Sequence, residues 1–169
     1  MQDISTMKPD EVPEVAQIYE DGWKVAYRGI MPDDFLAGVR AEQWIPLLTE
    51  FPDASLVLRV DGRPVATATI GPARDENRAG WGEIMSIYVR PEYVGKGYGK
   101  TLLRHAMTVL RSRGFDRVYV WTLEKNRNAR AFYEREGFSY NGDLIEIELG
   151  GAKLIEFRYE RDFRAEGET

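Results

Sequence analysis

Hydrophobic positions along this chain switch repeatedly between a period of two and a period near 3.6, and each switch marks a change of element. Residues 4–7 are short and extended in character. Lys8-Pro9-Asp10 interrupts them, and Asp10 is placed to cap a helix carrying Val12, Val15, Ile18, Tyr19 and Trp23 on one face. Met31-Pro32-Asp33-Asp34 breaks that helix and opens a short one with Phe35, Leu36 and Val39. Two strands follow, Ser55–Val60 and 64–70, joined by Asp61-Gly62, a pair whose tolerance of positive φ suits a two-residue hairpin turn. A polar loop, 71–80, leads to a third strand at 81–89.

Arg90-Pro91 and a glycine-rich turn end that strand. A helix over 100–111 follows, its apolar stripe made of Leu102, Leu103, Ala106, Val109 and Leu110, with Gly114 just past its end. Arg117–Leu123 is apolar on both faces, as a buried parallel strand must be. A helix through Ala129, Phe132 and Tyr133 closes at Gly137. Two strands, 138–149 and 152–160, meet at Gly150-Gly151. The pattern predicts one mixed α+β domain over 1–163, built of hairpins around a single strand–helix–strand crossover, with 164–169 as a frayed tail.

Composition narrows the chemistry. There is no cysteine and one histidine, His105, so thiolate nucleophiles, disulfides and thiolate metal sites are excluded and imidazole chemistry has almost nothing to build with. No metal is expected. The net charge of −5 speaks against a nucleic-acid partner, and no stretch approaches the roughly 20 uncharged apolar residues of a membrane helix. The first six residues lack the basic and apolar regions of a signal peptide, which makes the cytoplasm the expected location.

The segment Val94-Gly95-Lys96-Gly97-Tyr98-Gly99-Lys100-Thr101 joins a strand to an amphipathic helix. Its alternating glycines let the backbone curl with N–H groups converging, and the helix start adds unpaired N–H groups and a positive dipole end. Hydrogen bonds to a charged acceptor contribute about 1.5–3 kcal/mol each, so a few such amides hold a phosphate without a dedicated side chain. A P-loop needs its first glycine at position 94, which is Val94. A dinucleotide turn needs Gly-x-Gly-x-x-Gly early in a βαβ unit, and here the spacing is Gly-x-Gly-x-Gly after antiparallel hairpins.

The stretch Val89-Arg90-Pro91-Glu92-Tyr93-Val94-Gly95-Lys96-Gly97-Tyr98-Gly99-Lys100 resembles the acetyl-CoA signature of the GNAT N-acetyltransferases, Gln/Arg-x-x-Gly-x-Gly/Ala, with Val94 where the family prefers Gln or Arg. A second family landmark follows at Asn126-Arg127-Asn128-Ala129-Arg130-Ala131-Phe132-Tyr133, running on to Gly137-Phe138. The resemblance implies a GNAT-like fold: a largely antiparallel twisted sheet with one parallel crossover and helices on both faces. It implies acetyl-CoA as co-substrate and transfer of its acetyl group, in a ternary complex, to the amine of a small molecule or peptide. It places the backbone of Ile87, Tyr88 and Val89 along the pantetheine arm, the amides of Gly95, Lys96, Gly97, Tyr98, Gly99, Lys100 and Thr101 around the pyrophosphate, and Asn126 on the cofactor. Tyr133 is implied near the sulfur, as the acid for the departing thiolate.

Presenting a lysine-like amine in its neutral form at pH 7 costs about 4.6 kcal/mol, so a base is needed. Glu83, among residues that favour burial and just upstream of the cofactor strand, is the first candidate, with Glu146 and Glu148 next. Trp23, Tyr27, Arg28, Met31 and Phe35 are expected to line the acceptor pocket, where aromatic walls suit a cationic body. Trp121 stands where members acetylating ribosomal-protein N-termini carry glutamate, which counts against that subset. A non-catalytic acyl-CoA sensor is the alternative, and a homodimer is compatible with either.

Overall fold

The computed structural model describes residues 1–167. Its strands are β1 (Gln2–Thr6), β2 (Ser55–Val60), β3 (Arg63–Pro72), β4 (Gly82–Val89), β5 (Arg117–Leu123), β6 (Ser139–Leu149) and β7 (Ala152–Asp162). They make one sheet in the order β1-β2-β3-β4-β5-β7-β6, and every neighbouring pair is antiparallel except β4 with β5. The helices are α1 (Val12–Ala26), α2 (Asp33–Ala37), α3 (Ile45–Glu50), α4 (Tyr98–Ser112) and α5 (Arg127–Arg135). This is the mixed, largely antiparallel architecture that the hydrophobic pattern and the motifs imply.

Strand periodicity separates two cores. Leu56 and Leu58 of β2 turn to one face, where they join Leu102, Leu103, Ala106 and Leu110 of α4. Val57, between them, turns to the other, against Val15, Ala16 and Tyr19 of α1. Burying each leucine of that α4 stripe contributes roughly 1.5–3 kcal/mol. The β2–β3 hairpin closes on Asp61 (φ 50°) and Gly62 (φ 81°), the two consecutive positive values of a tight hairpin turn.

Local differences from the expected elements have plain causes. Asp10 does not cap α1, which begins at Val12; Pro9–Glu11 forms a 3-10 turn first, and the Glu11 carboxylate accepts from the Lys8 N–H at 2.8 Å. α4 starts at Tyr98, two residues before the expected start at Lys100 and four before its apolar stripe begins at Leu102. α3, for which no element was expected, sends Leu48 into the core beside α1. Arg164–Gly167 forms a 3-10 turn in which Arg164 pairs with Asp162 at 2.6 Å; the rest of the expected tail, 168–169, lies outside the described residues.

Two features of β4 position the site. Its register against β3 shifts between Thr69 and Ile70: Thr69 faces Ser86 and Ile70 faces Ile84, so Met85 is an extra residue. This bulge reverses the parity of the strand. Ile84, before it, packs in the core against α4. After it, the Ser86 hydroxyl lies 2.8 Å from the Tyr19 hydroxyl of α1. The second feature is that β4 pairs with β5 at only three positions, Gly82↔Val118, Glu83↔Tyr119 and Ile84↔Val120, beyond which the strands part.

A buried ion pair fastens the first strand and helix to the sheet. Arg59 of β2 is 2% exposed and donates from Nε and Nη2 to the two Glu11 oxygens at 2.5 and 2.7 Å, and from Nη1 to Asp3 at 3.1 Å. Burial works to raise the Glu11 carboxyl, but the bonds from Arg59 and the Lys8 N–H outweigh it and hold the group below the usual glutamate range. Glu11→Ala should cost about 3 kcal/mol in urea unfolding, because the Arg59 charge stays buried with only Asp3 opposite. Adding Arg59→Met should recover most of that loss. Because the folded-state pKa is depressed, the pair's contribution is fully present above the ordinary glutamate range and is lost as pH falls through the folded value; Glu11→Ala should flatten that acid dependence.

Candidate active site

Where β4 and β5 part, a cavity of about 640 Å³ opens. It is walled by residues 85–89 of β4, 120–123 of β5, the end of α1, the glycine turn, α5 from its cap Asn126 to Glu136, and Glu156 of β7. From Met85 onward β4 pairs with β3 on one side and has no strand on the other, so its second backbone edge faces the cavity. Backbone groups left in that way need an outside partner, and an extended ligand lying along the edge provides one. Ile87, Tyr88 and Val89 all lie on this wall.

One end of the cavity is the glycine turn. Gly95 (φ 81°) and Gly97 (φ 85°) hold left-handed conformations, and Gly97 is the residue from which α4 starts. A Cβ built on either would meet nothing within 4 Å, so the space before these amides is open to a ligand. The first helical bond runs from Thr101 N–H to the Gly97 carbonyl at 3.0 Å. The amides of Tyr98, Gly99 and Lys100 therefore have no acceptor within the helix, whereas Thr101, expected among the donors, is already spent. Lys100 lines the cavity, while the Lys96 ammonium lies 5.2 Å over the Tyr93 ring. Asn126 lines it as well and caps α5, its Oδ1 accepting from Ala129 N–H at 3.2 Å, while its NH₂ has no partner among the described residues. These features fit a pyrophosphate followed by an extended arm.

Tyrosines gather at the other end. Tyr133 is buried and lines the cavity; burial, then Tyr27, push its phenol well up, and no hydrogen bond offsets them. The Tyr27 and Tyr88 hydroxyls meet at 2.9 Å. Burial pushes Tyr88 up, Tyr27 adding to it, and burial raises Tyr27 as well, so these phenols stay protonated at neutral pH. Gly22 lets α1 approach: a Cβ there would stand 2.7 Å from Tyr88 Cδ1.

The other expected site residues lie elsewhere. Glu83 is 1% exposed and does not line the cavity. Its oxygens accept from Arg74 Nη2 at 2.7 Å, Nε at 3.0 Å and backbone N–H at 3.1 Å, which commits the carboxylate to Arg74. Glu146 and Glu148 are exposed on the edge strand β6. Of the five expected acceptor residues, only Tyr27 reaches the cavity. Trp23 packs against Tyr27 and Trp44, Met31 is buried with Leu36 and Leu123, Phe35 fills the space before Gly150, and Arg28 is exposed. Sequence reasoning missed Glu156 of β7 and gave Trp121 of β5 no part in the site, although both line the cavity. The available signal was parity: Leu154, Glu156 and Arg158 share one face of β7, and the first and last of them are buried.

A glycine turn with free amides, an unpaired strand edge and a buried phenol line one cleft, an arrangement that fits a CoA thioester. The family model for the acetyltransferase (GNAT) family matches residues 12–138, and the chain belongs to that family. It is 25% identical over 158 residues to the uncharacterised N-acetyltransferase YuaI of Bacillus subtilis, covering 90% of this chain and 88% of that one. It is 24% identical over 167 residues to spermidine N(1)-acetyltransferase of Thermoplasma acidophilum, covering 94% and 98%. Its fold matches the PaiA N-acetyltransferase of Thermoplasma acidophilum, solved in complex with coenzyme A, at a TM-score of 0.72 and 19% identity over 96% of this chain and 99% of that one. Among the described residues, no group of three or more His, Cys, Asp or Glu side chains could hold a metal ion, and no helix is long and apolar enough to cross a membrane.

Gly97→Val should abolish coenzyme A binding in calorimetry. The β-branched side chain resists φ 85° and projects into the open space before the amides. The variant should remain folded, with about 1–2 kcal/mol lost to the left-handed residue. Unchanged affinity in a folded variant would place the cradle elsewhere.

Proposed function

We propose that this enzyme transfers the acetyl group of acetyl-CoA to a primary amine of a small molecule or peptide, by direct attack of the amine within a ternary complex. The observation that carries this reading is the continuity of the cavity from the glycine turn, along the free edge of β4, to the buried Tyr133. The free amides at the start of α4, with Lys100 beside them, take the phosphates. The backbone of residues 87–89 and the spare Asn126 amide align the arm that follows. The CoA thioester supplies an acyl carbon open to attack by nitrogen.

Tyr133, kept protonated by burial, gives its proton to the departing sulfur, and the apolar walls around it exclude water that would compete with the amine. With no cysteine in the chain, no thiol of the protein carries the acetyl group on the way. A small amine as acceptor is supported by the relative named for spermidine, which aligns over nearly its full length.

Acetyl-CoA at one hundred times its dissociation constant should stabilise the protein by about 2.7 kcal/mol, and NAD should not. Thermal shift measurements with the two ligands side by side check this; a response to NAD alone would sink the reading. Tyr133→Phe should lower turnover about 10²-fold or more while leaving acetyl-CoA affinity unchanged, because only the donatable proton is lost. Turnover in a thiol-release assay, set against calorimetric binding, separates the two effects. An unchanged rate would make Tyr133 a packing residue.

A further inference from the structure

The acceptor end of the cavity contains a carboxylate that nothing in the fold uses. Glu156 lies on β7 opposite Leu123, on the cavity wall and partly buried. No ion pair or side-chain hydrogen bond engages it among the described residues. Its contrast with Glu83 is direct: Glu83 takes three hydrogen bonds from Arg74, whereas Glu156 feels Arg74 only through space. Tyr27 and Tyr133 line the same cavity as Glu156, and the Tyr27 phenol feels the Glu156 charge through space.

We propose that Glu156 receives the protonated acceptor amine and takes the proton that must leave before its nitrogen can attack. The assignment rests on the acetyl-transfer reading above and adds the acceptor class, a cationic primary amine. The cavity is polarised to match. Lys100 and Arg135 line it with the glycine turn and α5, where phosphates belong, and Glu136 beside them is already paired with Arg104 at 2.8 Å. At the far end Tyr27 adds aromatic surface to Glu156, a carboxylate of the lining with no ion pair among the described residues, and this is how proteins hold an ammonium group.

The step balances. The ammonium gives one proton to the Glu156 carboxylate, leaving a neutral amine whose lone pair forms the bond to the acyl carbon. The carbon–sulfur bond breaks with its electron pair on sulfur, which takes the Tyr133 proton. Tyr133 recovers a proton from the nitrogen as it becomes an amide, and Glu156 releases the first proton to water.

The groups facing Glu156 fix its titration. Among the described residues Arg74 of the β3–β4 loop is the cation acting on it, and Tyr27, at the C-terminal cap of α1, is neutral. Arg158, next along the same face of β7, is occupied by Asp75 at 2.6 Å and by Asp143. Leu123 of β5 and Ile145 of β6, its cross-strand neighbours, carry no charge. Burial raises the carboxyl above the ordinary glutamate range and Arg74 opposes this, which moves the group toward the neutral pH where a base works best.

The test uses the intact protein saturated with coenzyme A and two isosteric probes, 1,4-diaminobutane and 1,4-butanediol. Calorimetry should show the diamine bound at least tenfold more tightly than the diol by the wild type. Glu156→Gln should remove that preference while leaving coenzyme A affinity within twofold, and Glu156→Asp should restore part of it. In turnover of the diamine, wild-type kcat/KM should be flat between the Glu156 pKa and the amine pKa near 10, since the reactive pair is carboxylate plus ammonium. Glu156→Gln should fall at least 10²-fold at pH 7, and its kcat/KM should climb about tenfold per pH unit toward the amine pKa, because only free amine then reacts. Equal binding of diamine and diol with coenzyme A bound normally, or a Gln variant with the wild-type pH profile, would overturn the assignment and leave acetyl transfer standing. Failure of the wild type to bind coenzyme A would overturn both.

Discussion

The separation of β4 from β5 after three residue pairs is the constraint on which the site depends. A parallel pair that stops early leaves a row of backbone groups with no neighbour, an arrangement that is costly unless something outside the sheet satisfies it. Pairing on both flanks remains regular: β5 is matched to β7 along its whole length, and β3 to β4 on either side of the bulge. The cleft is therefore held open by two well-formed half-sheets. The bulge at Met85 stands where the strands begin to part, and added local twist is what a bulge produces.

The surrounding elements work to keep that opening in shape. Gly22 lets α1 seat against Tyr88, and the Tyr27–Tyr88 hydroxyl pair joins the end of α1 to the strand edge. The loop between β3 and β4 is tied across the sheet by Asp75 to Arg158, whose guanidinium also lies 4.8 Å over the Trp121 ring. Arg74 of the same loop clamps Glu83. A charged network lies on one rim of that end of the cleft and a tyrosine cluster on the other, while at the glycine turn the backbone amides are joined by the side chains of Lys100 and Asn126.

Most of the fold could be read from the sequence because its signals are local. The Asp61-Gly62 hairpin, the stripe on α4 and the glycine turn each show within a few residues. What stayed hidden depends on partners far apart in the chain. Glu83 reads as a buried carboxylate on the strand, but its partner arrives on a loop, and only the folded chain shows the two together. The bulge reverses side-chain parity partway along β4, and no residue in the strand announces it. Trp23, Met31 and Phe35 form the aromatic and apolar cluster expected of a pocket wall, yet such a cluster is equally what a helix needs to pack on a sheet, and here they pack. Glu156 was concealed for the opposite reason: one acid in a strand rich in Glu and Arg looks like a solvated face until the cleft beside it is seen.

A cradle made of main-chain amides has a consequence for how such a chain can drift over evolutionary time. Backbone donors tolerate almost any exchange of side chain that keeps the left-handed turn. The far end of the cleft, lined by Tyr27, Trp121, Tyr133 and Glu156, is built of side chains instead. A fold that superposes on PaiA with a TM-score of 0.72 at 19% identity shows how far side chains have already diverged around a preserved scaffold. One main-chain frame is thus compatible with widely different side chains.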